Sequence, residues 1–499
     1  MLSLLAMACV ASSAVAQRVD LEPAITTRLT ASDNAGLGTV RGDRDLVLDV
    51  TPRLRVRAEG PRTSLVGNVA LESINYQQHT QDNEIFPRAD LTGRVMAIER
   101  FFYTEGSVRI EQSNIDPFGA RPTSTTTDNA ATTRQYRLTP YIDTDPMAGL
   151  HLRVRSENVR TKVSGLGGST SLDEAGSSYF GLHTASLEFD PRPLGWRLEA
   201  ESSRTRYDGG IQPLSIDIAR ALVNLAVFDS ATVGLRVGAE RNNFLLDNDT
   251  RAVYGAQASW RPSERTVFEV DGEHRFFGTA MHLVFTHRMP SVAWNIRAAR
   301  DIDTSPRSLF NLGPTDNVAA LLDSMLTTRF PNAFDRARQV QDIISRQGLP
   351  SAIATAIPIL APRISIADTA SIGATLLGTR STVALSLYVA RVRDALEVGP
   401  LATDAAATNN IQHGIALAYT LRVTPIASLG VALDYGLIES LDSAVAFERT
   451  RQASARGQLV VQLAPKTYSQ FGIEYRKLAS NVTTSGREAS AYVSLEHRF

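Results

Sequence analysis

Lysine is almost missing from this chain: Lys162, Lys466 and Lys477 are its whole supply, and the rest of its 51 basic residues are arginine. Against 52 acidic residues they leave a formal charge of -1, which excludes a nucleic-acid binder built on a basic face. Cysteine is represented by Cys9 alone, inside the apolar N-terminal run, so the sequence beyond that run offers neither a disulfide framework nor a thiolate metal site. No apolar stretch after residue 17 approaches the ~20 residues of a membrane helix, and the mean hydropathy of -0.10 is that of a water-compatible chain. A helical membrane protein is thereby excluded. A transmembrane barrel is not, because its strands hide alternate residues from lipid and average to mild polarity.

The catalytic signatures are absent as well. There is no Gly-x-Ser-x-Gly elbow, no phosphate-binding Walker loop, no His-Glu-x-x-His helix and no Cys-x-x-Cys. The expectation is a protein with no catalytic residues, no cofactor and no metal. The eight histidines are scattered; His274 beside Glu273, and His282 with His287, are the only ones that suggest a rim hydrolase, and isolated histidines are the simpler reading. Asp247-Asn248-Asp249 supplies only part of a calcium shell of six to eight oxygens and reads as a polar turn.

What is present begins with an export signal over residues 1–16. An apolar run from Leu2 to Val15 ends in Ala14-Val15-Ala16, with small residues where a signal peptidase reads, and cleavage is expected before Gln17. The segment departs from the usual pattern in having no Lys or Arg before Arg18. Lipidation of Cys9 is disfavoured by Ala6 three residues earlier and by the short apolar stretch ahead of it.

From about residue 22 to the C-terminus the dominant signal is alternation, in segments of about 10–12 residues, the length of a tilted strand crossing a bilayer. Leu54, Val56 and Ala58 oppose Arg53, Arg55 and Arg57; Leu150, Leu152 and Val154 oppose His151, Arg153 and Arg155; Trp196, Leu198 and Ala200 oppose Arg197, Glu199 and Glu201. In the last segment Ala489, Ala491, Val493 and Leu495 share one face. Alternation alone also fits a soluble sandwich, so the connections arbitrate. Short turns at 58–62, 144–148, 190–194, 229–230, 261–264, 422–426 and 464–466 alternate with polar loops at 76–90, 114–133, 159–178, 207–216, 243–250, 394–410, 439–450 and 479–487. That is the pattern of short periplasmic turns facing long external loops. The fold class predicted for residues 17–499 is all-β: a large antiparallel transmembrane barrel of roughly 18 to 22 strands, located in a bacterial outer membrane and bathed by its lipid.

One stretch breaks the period. Within 302–362, Asn317 to Thr328 and Asn332 to Gln347 read as helices, the second with Phe334, Ala337, Val340 and Ile344 at helical spacing and Gly348 and Pro350 as its stop. This insertion reads as an external cap, as a constriction folded into the lumen of a wide barrel, or as a place where the strand phase itself fails, the external cap being the simplest. The predicted lumen face sets Arg53, Arg55, Arg57, Arg153, Arg155 and Arg197 against Glu199, Glu201, Glu269, Asp271, Glu273 and Glu474. Those charges either pair between neighbouring strands, the preferred reading, or oppose each other across a pore as a selectivity field. The chain ends Tyr492-Val493-Ser494-Leu495-Glu496-His497-Arg498-Phe499, and Val493, Leu495 and the final Phe499 resemble the terminal signal read by the barrel assembly machinery.

Two short stretches carry a family resemblance. Val19-Asp20-Leu21-Glu22-Pro23 leads into Leu29-Thr30-Ala31-Ser32-Asp33-Asn34-Ala35-Gly36-Leu37 and then Asp45-Leu46-Val47-Leu48-Asp49-Val50-Thr51-Pro52, and Arg329-Phe330-Pro331 to Gly348-Leu349-Pro350 follows in the middle of the chain. These resemble the PEP-CTERM (exosortase) system-associated outer-membrane β-barrel proteins, although Arg53 stands where that pattern has glycine. The resemblance implies association with exopolysaccharide or export components; it supplies no catalytic residues. Two functions stay open: a pore or export channel, and a non-conducting platform for a surface polymer or partner protein. A TonB-dependent receptor is disfavoured because alternation starting near residue 22 leaves no room for a preceding plug domain.

Overall fold

A computed structural model describes residues 18–37, 42–114, 116–121, 123–126, 129–164, 177–208, 213–243, 250–304, 317–350, 356–357, 364–395, 409–441 and 448–499. The export segment 1–16 and the Asp247–Asp249 turn lie outside the described residues.

Alternating sequence becomes strand after strand: β1 (Arg18–Ser32), β2 (Asp45–Glu59), β3 (Thr63–Tyr76), β4 (Glu84–Ile98), β5 (Phe102–Asn114), β6 (Ala130–Met147), β7 (Leu150–Ser164) and β8 (Ser178–Phe189). They continue as β9 (Leu194–Tyr207), β10 (Leu214–Phe228), β11 (Ala231–Asn242), β12 (Arg251–Ser263), β13 (Thr266–Arg275), β14 (Gly278–Arg288) and β15 (Val292–Thr304). Two helices follow, α1 (Asn317–Leu326) and α2 (Ala333–Gln347). The remainder is β16 (Ile364–Leu377), β17 (Ser381–Asp394), β18 (Asn410–Arg422), β19 (Ala427–Ser440), β20 (Arg449–Ala464), β21 (Thr467–Ser480) and β22 (Gly486–Arg498). Each strand pairs antiparallel with its sequence neighbours in one 22-stranded sheet, and β1 closes it against β22 in the register Ala24↔Arg498 to Ser32↔Ser490. Closure leaves no sheet edge with unpaired backbone groups, the condition for a β-structure to span lipid.

The outer surface is apolar. Exposed leucine, valine and isoleucine, such as Leu54, Leu198, Val223, Leu235, Ile415 and Leu433, cover the outside. All three tryptophans, Trp196, Trp260 and Trp294, face outward at the ends of their strands nearest the short turns, where an interfacial aromatic girdle belongs. A closed 22-stranded barrel with this belt is an outer-membrane protein, and the turn end is its periplasmic end.

The predicted pattern of connections differs from the observed one in a few places. β1 begins at Arg18, four residues before the alternation becomes visible, and the polar stretch 76–90 gives up Glu84 onward to β4. Further short turns occur at 99–101, 289–291 and 378–380. On the loop end, β13 and β14 are joined by Phe276-Phe277 alone, with Gly278 at φ +105, a conformation that side chains with a Cβ rarely adopt.

Candidate functional site

Every charge placed on the lumen face by alternation does face inward, and most find a partner on a neighbouring strand. Arg55 pairs with Glu22 at 3.0 Å, Arg153 with Asp143 at 2.8 Å and Arg155 with Glu105 at 3.5 Å. Arg197 bridges Glu188 at 2.7 Å and Glu199 at 3.1 Å, while Glu269 meets Arg261. Glu474 accepts Arg456 at 3.0 Å, and Arg57 is buried in the wall. Arg53 has no carboxylate within 4 Å among the described residues. On one wall these contacts merge into a network: Arg220 holds Glu273 through two hydrogen bonds of 2.7 and 2.9 Å and reaches Glu201 at 3.3 Å. Arg236 joins Glu273 at 3.3 Å and Asp271 at 3.6 Å, and Arg275 joins Glu240 at 2.6 Å and Asp301 at 2.9 Å. Pairing within the wall is therefore the arrangement found, and it ties adjacent strands by charge-assisted bonds. Arg220, Arg236, Glu240 and Arg275 follow the same two-residue phase as the residues singled out in sequence and were legible by extending it.

Among the described residues, two segments reach across the lumen to distant strands. The first is the connection between β15 and β16. Its end strands meet it at the loop end, yet α1 and α2 sit at the opposite, periplasmic end of the barrel. Arg338 on α2 reaches Asp20 at 3.3 Å, Gln341 accepts from Arg55 at 3.1 Å, and Ser345 accepts from Arg498. The Gln347 carbonyl oxygen of the side chain accepts from Thr382 at 2.6 Å and Thr420 at 3.0 Å. Every one of these wall residues lies near the turn end of its strand. The external-cap alternative is thus overturned: α1 and α2 lie inside the lumen at its periplasmic end.

Their seat is apolar, which is unusual for an inward face. Val318, Leu322, Met325 and Leu326 of α1 and Val340 and Ile344 of α2 are buried with Leu349 against Ala293, Ala384 and Ala418, and Leu321 packs over Gly373. Small residues at four inward positions make room for a helix pair that a polar wall would neither fit nor hold. The helix ends follow local rules. The Asn332 side-chain oxygen accepts from the Asp335 N–H at 3.2 Å as a cap, and α2 stops at Gly348, whose φ of +65 lets the Leu349 N–H return to the Ile344 carbonyl at 3.0 Å.

The second segment is the 116–129 connection, expected as an external loop. It crosses the lumen near the loop end and meets the far wall. Arg121 donates to the Tyr388 hydroxyl at 3.2 Å, the Gly119 carbonyl accepts from Gln452 at 2.7 Å, and Arg476 donates to Thr123 at 2.6 Å and contacts Thr125 and Glu488. Phe118 packs with Ile438 and with Ile357 on the return leg of the insertion, where Gln412 clamps the Ile357 backbone at 2.8 and 3.0 Å. Asn129 braces the loop from within, donating to the Asp116 and Ala120 carbonyls at 2.7 and 3.0 Å. The lumen is consequently obstructed at two levels. Nothing in alternation could reveal where a loop crosses, because its partners are set by distance across the barrel.

The three rim histidines are not assembled into a site. His274 faces outward and stacks on Tyr254 at 5.1 Å, His287 faces outward beside Thr266, and His282 faces inward 3.7 Å from Asp271. At the C-terminus, Val493 and Leu495 of β22 and Phe499 lie on the lipid face, with the Phe499 N–H donating to the Pro23 carbonyl at 2.9 Å across the closing seam.

No protein-family model matches the chain, and no curated protein matches it. Among solved structures, the FrpB iron transporter from Neisseria meningitidis aligns over 96% of this chain and 83% of its own at 8% identity and a TM-score of 0.46. The siderophore receptor PirA from Acinetobacter baumannii gives 96% and 80% at 10% identity and a TM-score of 0.46. OpdK from Pseudomonas aeruginosa, solved with vanillate, gives 96% and 99% at 9% identity and a TM-score of 0.37. The assignment of this chain to the outer-membrane β-barrels comes from its own closed sheet and lipid-facing belt.

Proposed function

We propose that this protein is a gated outer-membrane pore whose resting state is closed by the α1–α2 plug, and that it serves export of a surface polysaccharide. The observation that carries the gate is the seat of the plug: a helix pair resting at the periplasmic mouth on side-chain contacts alone, an apolar patch flanked by hydrogen bonds, with no strand pairing to the barrel. A plug held this way is released by losing a few contacts, while the barrel ladder stays intact. What supports a sugar cargo is the lining. Tyr103 and Tyr141 stack at 5.0 Å on the inward face, and the Arg94 guanidinium lies 4.9 Å from the Tyr103 ring centre. Aromatic faces and fixed cations suit sugar rings and their carboxylates. The export partner follows from the family resemblance, and insertion by the barrel assembly machinery from the terminal Val493, Leu495 and Phe499.

Double obstruction of the lumen favours a second reading, a closed platform whose loops bind a surface polymer or partner. Single-channel conductance of the refolded barrel separates the two, with a variant whose residues 316–348 are replaced by a Gly/Ser linker. A silent wild type and an open variant are expected for the gated pore. Silence in both, with folding of each verified, refutes it and leaves the platform; unchanged polysaccharide secretion in a deletion strain refutes the cargo.

A further inference from the structure

The lipid-facing surface of β6 to β11 is asymmetric in charge. Outward positions at the turn ends of these strands hold Leu150, Phe189, Trp196, Leu225 and Val233, with no lysine or arginine among them. At the loop end the same outward phase holds Arg134, Arg160, Lys162, Arg204, Arg206 and Arg241. Two of the six have partners: Arg160 is paired to Asp208, and Arg134 donates to the Ser164 hydroxyl at 2.7 Å. Lys162, Arg204, Arg206 and Arg241 are exposed and have no carboxylate within 4 Å among the described residues. Asp217 is occupied by the Ser202 hydroxyl at 2.6 Å. Elsewhere on the loop-end rim Arg393 is neutralised by Asp368 at 3.1 Å and Arg449 by Glu439 at 3.1 Å, whereas Arg391, Arg451, Lys477 and Arg487 are exposed as well, without the row of outward alanines that underlies this cluster.

Below the cations the surface is hollow. The register aligns Ala185, Ala200, Ala219 and Ala239 across four strands, where the next outward row carries Leu187, Leu198, Ala221 and Val237. The result is a groove of about 570 Å³ on the outside of the barrel, rimmed by His183, Asp217 and Arg241. Cations sit above an acyl-sized depression, on the side that meets the outer leaflet.

We propose that this surface is a binding site for a phosphorylated glycolipid of the outer leaflet, with phosphate groups on the arginines and acyl chains in the alanine-floored groove. Arg160 and Arg206 share one register row with Tyr179 between them, so their strands are about 10 Å apart, and Arg204 and Arg241 extend the charge across a further two strands. That spread fits two phosphates on a disaccharide better than the single phosphate of a phospholipid. Guanidinium forks give bidentate contacts to phosphate, and arginine is the residue in five of these six positions.

The test uses the full refolded barrel in detergent, mixed separately with diphosphoryl lipid A, its dephosphorylated form and phosphatidylglycerol, with bound lipid read by native mass spectrometry. Wild type is expected to retain the diphosphoryl lipid at least tenfold over the other two, and Arg204→Gln/Arg206→Gln/Arg241→Gln to lose that preference. The three side chains are exposed and take no part in the backbone ladder, so heat-modifiable migration of the variant should match wild type; should the triple variant fail to fold, Arg206→Gln and Arg241→Gln are measured singly and each is expected to lower retention severalfold. Equal retention of phosphatidylglycerol by wild type overturns the assignment, as does undiminished retention of lipid A by the folded variants.

Discussion

If the plug is held by its seat, loosening the seat without touching the barrel should open the pore. The perturbation is Leu322→Ala with Gln347→Ala. Leu322 is fully buried between α1 and the wall, and a buried Leu→Ala change costs about 2–5 kcal/mol. The lower half, ~3 kcal/mol, is appropriate where a two-helix segment can resettle. Gln347 loses two hydrogen bonds, to Thr382 and Thr420, each about 1 kcal/mol. The sum is roughly 5 kcal/mol, equivalent to a shift of about 10³ to 10⁴ in the ratio of displaced to seated plug. Neither side chain belongs to a strand, so the 22-stranded ladder is untouched. In planar bilayers the double variant should show open events on a background where wild type is closed or only flickers. Open probability unchanged in a variant verified as folded would refute the idea that these contacts hold the gate.

Other consequences can be checked in the same preparation. Gln347→Cys with Thr382→Cys places two thiols where the side chains already touch, in a chain whose only native cysteine is Cys9; oxidation should suppress channel events and a reductant should restore them. Glu488→Ala removes a buried partner of Arg476 and Ser32 and should free the 116–129 loop, seen as faster proteolysis within that loop while the barrel stays intact. Glu273→Ala leaves Arg220 with Glu201 and Arg236 with Asp271 as their remaining carboxylates, and unfolding in denaturant should report destabilisation of about 1–3 kcal/mol. Deleting Phe499 should lower the amount assembled in cells and leave refolding in detergent unchanged; equal loss in both settings would make its role one of stability rather than recognition.

Local periodicity decided a great deal by itself. Alternation of Leu54, Val56 and Ala58 with Arg53, Arg55 and Arg57 fixed which face meets lipid, because a strand's side chains leave opposite faces at every step and lipid tolerates only one of the two sets. The even series of strands, the order of short turns and long loops, and the limits of both helices follow from the same local rules, with Asn332 and Gly348 marking the ends of α2. The small inward residues Ala293, Gly373, Ala384 and Ala418 were a visible trace of the plug, since wet lumen faces are otherwise polar. Where the plug goes was decided only in three dimensions. Its contacts with Asp20, Arg55 and Arg498 join residues separated by most of the chain, and they exist because closing β1 on β22 brings those positions to one mouth. The crossing of the 116–129 loop to Tyr388, Arg476 and Glu488 likewise depends on the width of the closed cylinder, a property of the number and tilt of all strands together. The loop-end lysine and arginines are single letters in the sequence; the shared register of six strands is what gathers them above one groove.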